Sequence, residues 1–283
     1  MRVDAVDDVE AFATAAGALL AADEANHTVL LAALQGAQHA QANAEPLPDG
    51  WSAAIVCDGT RVVAAARLWR GTWSLSSGPA EALHALGAWA AARGRFAGAT
   101  GPDRAVQAFE AGAALPMRTL FELPLLRLDG RPALPRPVTG SLRPAEPADL
   151  PVLLAWHEAF RTETRIAQSA AQVAADTERA VRLGNRYLWV DEAGSPLGMV
   201  GGRCIAPTGA RIGPVFTPPA QRGRGIGDAM VAAFAQRLRE AGARCVFLFT
   251  DAANPVSNAL YRRIGFAPVG RHLHRVVATA PED

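Results

Sequence analysis

The sequence contains no lysine, so all 28 of its basic residues are arginine. A Walker-type nucleotide loop needs a lysine after its last glycine, and this class of site is therefore excluded. The 27 acidic residues leave a formal net charge of +1, which creates no strong field to attract nucleic acid or an anionic membrane. No uncharged apolar run reaches the roughly 18 residues of a membrane-spanning helix. We therefore expect partners other than nucleic acids and membranes.

Cysteine is scarce as well. The three cysteines, Cys57, Cys204 and Cys245, are isolated in apolar strand-like runs and show no Cys-x-x-Cys spacing. An odd number of isolated thiols is typical of reduced, buried cysteines in a cytoplasmic protein. The acidic N-terminal segment is unlike a secretory signal, which agrees with a cytoplasmic location.

The most informative segment that is present joins an apolar strand to a helix. The strand covers Ile212 to Thr217, and Pro218-Pro219 end its ladder because proline has no N–H to donate. Arg222-Gly223-Arg224-Gly225-Ile226-Gly227 then opens a helix with apolar residues at helical spacing. Alternating glycines at the positive end of a helix leave several N–H groups bare, which predicts a phosphate-binding nest. The spacing does not fit the dinucleotide fingerprint GxGxxG.

A second pattern follows at the right distance. An apolar strand from Arg244 to Thr250 leads into a turn, and Pro255 suits the first turn of the next helix. Residues 254–266 then read Asn-x-x-Ser-x-x-Leu-Tyr-x-x-x-Gly-Phe. The glycine is expected to end the helix, and the phenylalanine to begin another strand.

These two patterns resemble the acetyl-CoA loop (Arg/Gln-x-x-Gly-x-Gly/Ala) and the asparagine–tyrosine signature of the GNAT acetyltransferases. They occur in the family's order and in the strand–loop–helix context that each requires. The resemblance covers residues 141–283. It implies an α/β (α+β) fold, with a mixed, mostly antiparallel sheet flanked by helices. It also implies acetyl-CoA as co-substrate and direct transfer, in a ternary complex, to an amine of a small molecule or peptide.

The resemblance assigns roles to individual residues. The strand backbone would pair with the pantetheine arm, the glycine loop would bind the pyrophosphate, and Asn254 would bond a pantetheine amide. The implied cofactor-binding residues are Val215, Phe216, Thr217, Arg222, Gly223, Arg224, Gly225, Ile226, Gly227, Asp228 and Asn254. Pro218-Pro219 would splay the strand and open the slot. Helix capping is an equally good role for Asn254, and the two arginines of the loop could simply be solvated.

Tyr261 is the candidate general acid. A phenol (pKa ~10) remains protonated at neutral pH, whereas the leaving thiolate resembles a group of pKa ~8.5. Proton transfer is then uphill by about 2 kcal/mol in water, which a dry site would have to offset. The alternative is a buried structural tyrosine.

The general base is where the resemblance stops. The position at which many relatives carry a glutamate holds Phe249, and the strand before the loop holds Arg211 and no carboxylate. Asp251 is the candidate base, on the same strand face as Phe249 by alternation. Glu158 and Glu163 could line the acceptor groove. A solvated or capping carboxylate is the alternative for each of these three acids.

A site without a dedicated base favours weakly basic acceptors. Deprotonating a lysine-like amine at pH 7 costs about 4.6 kcal/mol, and an α-amine only about 1 kcal/mol. We therefore expect α-amines, aromatic amines or hydroxyls to be better acceptors than alkylamines.

The chain divides into two halves. A linker rich in proline and glycine, 129–140, separates a C-terminal acetyltransferase domain, 141–283, from an N-terminal half, 1–128. The first half repeats the second in order, beginning with a helix from Ala5 to Ala22, but carries neither motif. We interpret it as a degenerate, non-catalytic GNAT-like lobe, with an unrelated α/β domain as the alternative. A closing pair of strands is expected after the Tyr261 helix.

Other functions stay open at this point. The missing base fits a non-catalytic acyl-CoA-binding sensor or interaction protein, and the slot beside Phe216 and Phe249 leaves room for a longer acyl group. His272 and His274 share a strand face without a third ligand, so no metal site is expected. An intact edge strand is compatible with a homodimer, by fold-level analogy alone.

Overall fold

The strands of the computed structural model form one continuous sheet. The structure describes residues 1–47, 50–134, 136–164, 168–204 and 207–278. The strands are β1 Arg2–Ala5, β2 Ser52–Asp58, β3 Arg61–Trp69, β4 Thr72–Leu75, β5 Gly98–Pro102, β6 Met117–Leu128, β7 Ser141–Pro144, β8 Arg186–Val190, β9 Pro196–Cys204, β10 Gly209–Phe216, β11 Cys245–Phe249 and β12 Ala267–Val277. Their order in the sheet is β1-β2-β3-β4-β5-β12-β6-β11-β10-β9-β8-β7.

The helices follow the order that the sequence predicts. They are α1 Val9–Ala22, α2 Glu24–Ala42, α3 Ala80–Arg93, α4 Asp103–Ala113, α5 Leu150–Thr164, α6 Ala170–Arg182, α7 Ile226–Glu240 and α8 Pro255–Ile264. Both halves run strand, two helices, three strands, helix, strand, helix, strand, and the order of strands reads the same from either edge of the sheet. Only β4–β5 and β10–β11 are parallel among the described strand pairs. The expected mixed, mostly antiparallel sheet with flanking helices is confirmed.

The halves exchange their last strands. β6, which ends the first half, pairs with β11 of the second half, and β12, which ends the second half, pairs with β5 of the first. β6 and β12 also pair with each other along most of their length. The sheet runs unbroken through both halves. The domain boundaries at 128 and 141 therefore stay a prediction from the sequence.

Two local expectations are wrong. The helix expected from Ala5 to Ala22 begins only at Val9, because residues 2–5 pair with β2 as an edge strand. The closing pair of strands is the single strand β12, since Pro268 and Gly270 lie at a register shift within it and do not form a turn. The ladder with β6 resumes beyond this shift and runs on to Val277, so the strand continues through the irregularity.

Helices cover both faces of the sheet. α7 and α8 pack on one face around Val246, Ile212 and Tyr261, while α2 and α5 pack on the other around Phe247 and Leu153. Cys57 and Cys245 are buried and free, as expected, whereas the side chain of Cys204 lies outside the described residues. Among the described residues no helix is both long and apolar enough to cross a membrane.

Buried neutral histidines make the stability of the fold depend on pH. Burial lowers the pKa of His157 to about 4 and that of His272 to about 3. The Nδ1 of His157 contacts the Thr177 hydroxyl at 2.6 Å, and that hydroxyl donates to Val173, so the ring must donate to it. As the pH falls, the unfolded chain binds these protons first, near pH 6.5. The contribution of the two histidines to the free energy of unfolding is therefore complete above that pH and is lost as the pH drops towards 4.

We expect the melting temperature to fall between pH 7 and pH 5. Each of the two histidines then contributes a loss of about 2 kcal/mol, and together they lower the Tm by about 7 °C. In His157→Gln, which keeps a hydrogen-bond donor but cannot be protonated, the drop in Tm should be smaller. His84→Gln, at an exposed site on α3, is the control, and equal drops in all three proteins would contradict the assignment.

Candidate active site

A slot opens where β10 leaves β11. Their parallel ladder runs from Gly209 only as far as Ile212, while β10 continues to pair with β9 through Val215 and Phe216. The separation begins at Gly213, which lies in a bulge of β10 and precedes a cis bond to Pro214, and not at Pro218-Pro219 as the sequence suggested. No heavy atom lies within 4 Å of the Cβ position at Gly213. The free edge of β10 beyond this point is thus available to a ligand.

The equivalent strands of the first half stay closed. β4 and β5 pair along Thr72 to Ser74, and the Cβ position at Gly101 lies only 2.8 Å from the Leu75 carbonyl oxygen. The short loop after β4 lies directly against β3. A Cβ atom at Gly78 would be only 2.6 Å from the Val63 carbonyl oxygen.

His27, a buried histidine of α2, contacts the loop that follows β4. The Nε2 of His27 accepts the Ser77 N–H at 3.0 Å and contacts the Ser77 hydroxyl at 2.7 Å, while Nδ1 contacts the Leu20 carbonyl. A backbone N–H that a cofactor phosphate would use is therefore already taken. These contacts give a physical reason for interpreting the first half as the non-catalytic one.

The glycine loop has the backbone of an anion-binding nest. Gly223 and Gly225 have φ of +75° and +80°, which side chains rarely adopt, and Gly225 is the N-cap of α7 without any side-chain cap. The first N–H groups of this 15-residue helix are therefore left for an external acceptor. Gly227 has a packing role, since a Cβ there would lie 2.9 Å from Leu260 of α8 and 3.7 Å from the Thr217 hydroxyl. The loop, α8 and the end of β10 are thus held together.

A linker residue that the sequence analysis missed also lies over this loop. Arg136 donates from Nη2 to the Gly223 carbonyl at 3.3 Å, and its Nε lies 2.7 Å from the Cβ position of Gly225. Its guanidinium is exposed and adjacent to the nest. No local motif marks Arg136, because only the path of the linker brings it here.

The charged side chains of the loop have protein partners. Arg222 donates to both carboxylate oxygens of Glu163, at 2.7 and 2.8 Å, and to the Thr217 carbonyl. Arg224 bonds Gln221, and the Asp228 carboxylate accepts from Arg263 at 2.8 and 3.2 Å. Asp228 therefore helps to fix α7 to α8.

Arg136→Gln is expected to raise the dissociation constant of acetyl-CoA about fivefold, the effect of one exposed charge-assisted contact. The affinity of the variant should also depend less on salt, because one cation near the phosphates is gone. Isothermal titration at two NaCl concentrations measures both effects. Arg131→Gln, in the same linker, is the control, and identical affinities for the two variants would remove Arg136 from the site.

Tyr261 lies on α8 in the core cluster that also contacts Val215 and Ile226. It is 7% exposed, and burial raises its pKa to about 12. Its hydroxyl forms no hydrogen bond with any of the described residues, and its ring packs edge-on against Phe266 at 6.0 Å. The phenol is therefore fully protonated at neutral pH and has a proton to donate.

Asn254 and Asp251 order the turn between β11 and α8. The Asn254 side chain caps α8 by accepting the Ser257 N–H at 3.0 Å, and the Asp251 carboxylate accepts the Ala253 N–H at 2.9 Å. β11 ends at Phe249, so strand alternation does not extend to Asp251. Catalytic or cofactor roles for these two residues stay predictions.

The other candidate acids are engaged with arginines. Glu158 pairs with Arg161, one turn along α5, and Glu163 pairs with Arg222. His272 packs against Phe249, and His274 against Phe121. Among the described residues no group of three metal-ligating side chains occurs.

Comparisons with known proteins agree with this geometry. Residues 153–266 match the family model described as Acetyltransferase (GNAT) family, and no curated protein matches the sequence. The chain is similar in fold to a GCN5-related N-acetyltransferase from Sphaerobacter thermophilus, with a TM-score of 0.63 and 22% identity over 96% of this chain and 95% of that one. An acetyltransferase of the GNAT family from Colwellia psychrerythraea gives a TM-score of 0.62 at 10% identity, over 98% and 100% of the chains.

A tandem GNAT protein from the clavulanic acid biosynthesis pathway aligns over the full length of both chains, with a TM-score of 0.56 and 18% identity. A tandem arrangement agrees with the repeated order of strands and helices seen here. The chain accordingly has a tandem GNAT fold, and its residues 153–266 match the model of the GNAT acetyltransferase family.

Proposed function

We propose that the chain moves an acetyl group from acetyl-CoA to an amine of a small molecule or peptide, by direct attack in a ternary complex. The observation that supports this most is the slot beside β10, with an uncapped helix N-terminus following it and Tyr261 in the core cluster against which Val215 of β10 packs. The glycine loop would hold the pyrophosphate, and the free edge of β10 beyond Ile212 would pair with the pantetheine arm. Acetyl-CoA is the co-substrate that the family implies.

The chemistry needs no covalent enzyme intermediate. The amine nitrogen attacks the thioester carbonyl, so a C–N bond forms and the C–S bond breaks. The amine loses a proton to solvent, and the departing sulfur takes the Tyr261 hydroxyl proton, which water later replaces. A backbone N–H at the end of β10 would stabilise the oxyanion.

The raised pKa of Tyr261 sets a condition on this step. Transfer from a phenol of pKa about 12 to a thiolate of pKa ~8.5 is uphill by about 5 kcal/mol if the thiolate is solvated. Burial of the thiolate in the same dry slot raises its pKa also, and so narrows the gap. Tyr261 can therefore act only if the slot is closed to water when the C–S bond breaks.

The deciding experiment measures free thiol released from acetyl-CoA with a panel of α-amines, polyamines, aminoglycosides and peptide N-termini. Acceptor-dependent release, with the acetylated product seen by mass spectrometry, supports the enzyme. Tight binding of acetyl-CoA without release for any acceptor favours the sensor. The observation behind this alternative is that Phe249 and Arg211 occupy the two positions where a carboxylate base was sought. The panel run with acetyl-, propionyl- and butyryl-CoA tests the length of the acyl group.

A further inference from the structure

Two arginines face each other across neighbouring strands, on the face of the sheet that α2 covers. Arg203 of β9 is directly opposite Arg211 of β10. Like charges at directly opposed positions repel, and burial increases the cost. Burial lowers the pKa of both guanidinium groups, that of Arg211 to about 10, and in each case a neighbouring arginine lowers it further.

No carboxylate of the described residues forms an ion pair with Arg203 or Arg211. Arg203 donates to the Ala32 carbonyl of α2, and Arg211 lies with its Cζ 5.5 Å from the centre of the Phe249 ring. A third arginine, Arg179 of α6, donates to the Gly36 carbonyl at 3.3 Å and leaves its buried Nε without a partner in the described chain.

A cavity lies beside this cluster. It has a volume of about 240 Å³, between α2 and α6, and its lining includes Arg203, Arg179, Asn185 and one acid, Asp176, which is paired with Arg70. On the other side of the cluster, His272 is 2% exposed, its Nε2 is unpartnered, and its ring is 4.8 Å from Phe249. Phe249 contacts both Arg211 and His272, so an unpartnered ring nitrogen lies near the Arg211 guanidinium.

The cluster lies close to the slot. Arg211 and Gly213 are two residues apart on β10, about 7 Å along the strand, and the slot opens at Gly213. An acceptor held at Arg211 would thus have its nucleophile within a few bonds of the thioester carbonyl.

We propose that Arg211, supported by Arg203, binds a carboxylate of the acetyl acceptor, so that the acceptor is an α-amino acid. This rests on the proposed acetyl transfer. A guanidinium fork matches a carboxylate with two parallel hydrogen bonds, and the bound anion offsets the repulsion between the arginines. The same cations disfavour the ammonium form of the acceptor and lower its pKa, which compensates for the absence of a carboxylate base.

The test compares amino acids with their amides. Glycine, leucine, phenylalanine, glutamine and arginine are each assayed beside the C-terminal amide, by thiol release from acetyl-CoA. An amide has the less basic amine, so a site that selects only neutral amines prefers the amide, whereas a carboxylate site prefers the free acid. We expect at least one acid to exceed its amide about tenfold or more in kcat/KM, the effect of one charge-assisted hydrogen bond.

In Arg211→Gln this acid-to-amide ratio should fall to about one, with partial recovery in Arg211→Lys. Arg104→Gln, at an exposed site on α4, should keep the wild-type ratio. Release with amides or polyamines but with no free acid overturns the carboxylate site and leaves acetyl transfer standing. Release with no acceptor at all refutes the proposed function. In that case, titration with the N-acetyl amino acids decides, since binding weakened in Arg211→Gln supports the site and no binding overturns it.

Discussion

Tyr261→Phe should lower kcat for acetyl transfer about 100-fold or more, while the dissociation constant of acetyl-CoA changes less than about twofold. Loss of a positioned proton donor costs on the order of 10²–10⁴ in rate. The substitution removes only a hydroxyl that has no hydrogen-bond partner among the described residues, and the ring keeps its contact with Phe266. Binding and folding are therefore expected to survive, and the effect should fall on the chemical step.

Tyr187→Phe is the matched control, because Tyr187 and Tyr261 are the only tyrosines of the chain. The Tyr187 hydroxyl accepts a hydrogen bond from Arg237 at 3.0 Å, so this variant loses an existing contact yet should keep its kcat. Since the pKa of Tyr261 is about 12, the wild-type rate should not fall as the pH rises to about 10. A Tyr261→Phe protein with more than half of the wild-type kcat would show that solvent protonates the thiolate.

The glycine loop could be predicted from the sequence because its properties are local. The role of Gly225 follows from its φ of +80° and its position directly before α7. Asn254 caps the helix that begins at the next residue, and Gly227 packs against one neighbouring helix. Such features follow from residue type and spacing. The start of α6 is local in the same way, since Ser169 and Gln172 form a capping box there.

The exchange of β6 and β12 could not be predicted in this way. Each strand has the pattern of a buried strand, and that pattern is satisfied equally by a partner from its own half or from the other. The choice depends on contacts far apart in sequence. Arg136 is a further case, since a residue of an irregular linker carries no periodicity that would place it above the loop.

The opposition of Arg203 and Arg211 depends on register alone. The sequence shows two arginines on separate strands, and a shift of one residue would place them on opposite faces. Because this register places the two side by side, Arg211 becomes the residue on which the proposed class of acceptor depends.

Gly225→Ala should raise the dissociation constant of acetyl-CoA about 10- to 100-fold. An alanine at φ +80° is strained, and its Cβ would also displace the Arg136 guanidinium, so the N–H groups proposed to bind the pyrophosphate would rotate and a nearby cation would move. Loss of one or two charge-assisted hydrogen bonds has this magnitude. Gly242→Ala is the matched control, because Gly242 has φ of +105° just beyond the other end of α7 and no heavy atom near its Cβ position. It should cost comparable stability and leave affinity unchanged.

An acetyl donor without the pyrophosphate distinguishes a defect in the phosphate-binding loop from general damage to the site. S-acetylpantetheine lacks the pyrophosphate, so a defect confined to the nest should leave kcat/KM for this donor equal in Gly225→Ala and wild type, even though kcat/KM for acetyl-CoA is reduced. An equal reduction for both donors would mean that residue 225 supports the slot and not the phosphates. Because β10, α7 and α8 meet at Gly227 and Leu260, that outcome would move the origin of the defect to the packing of α7 on α8.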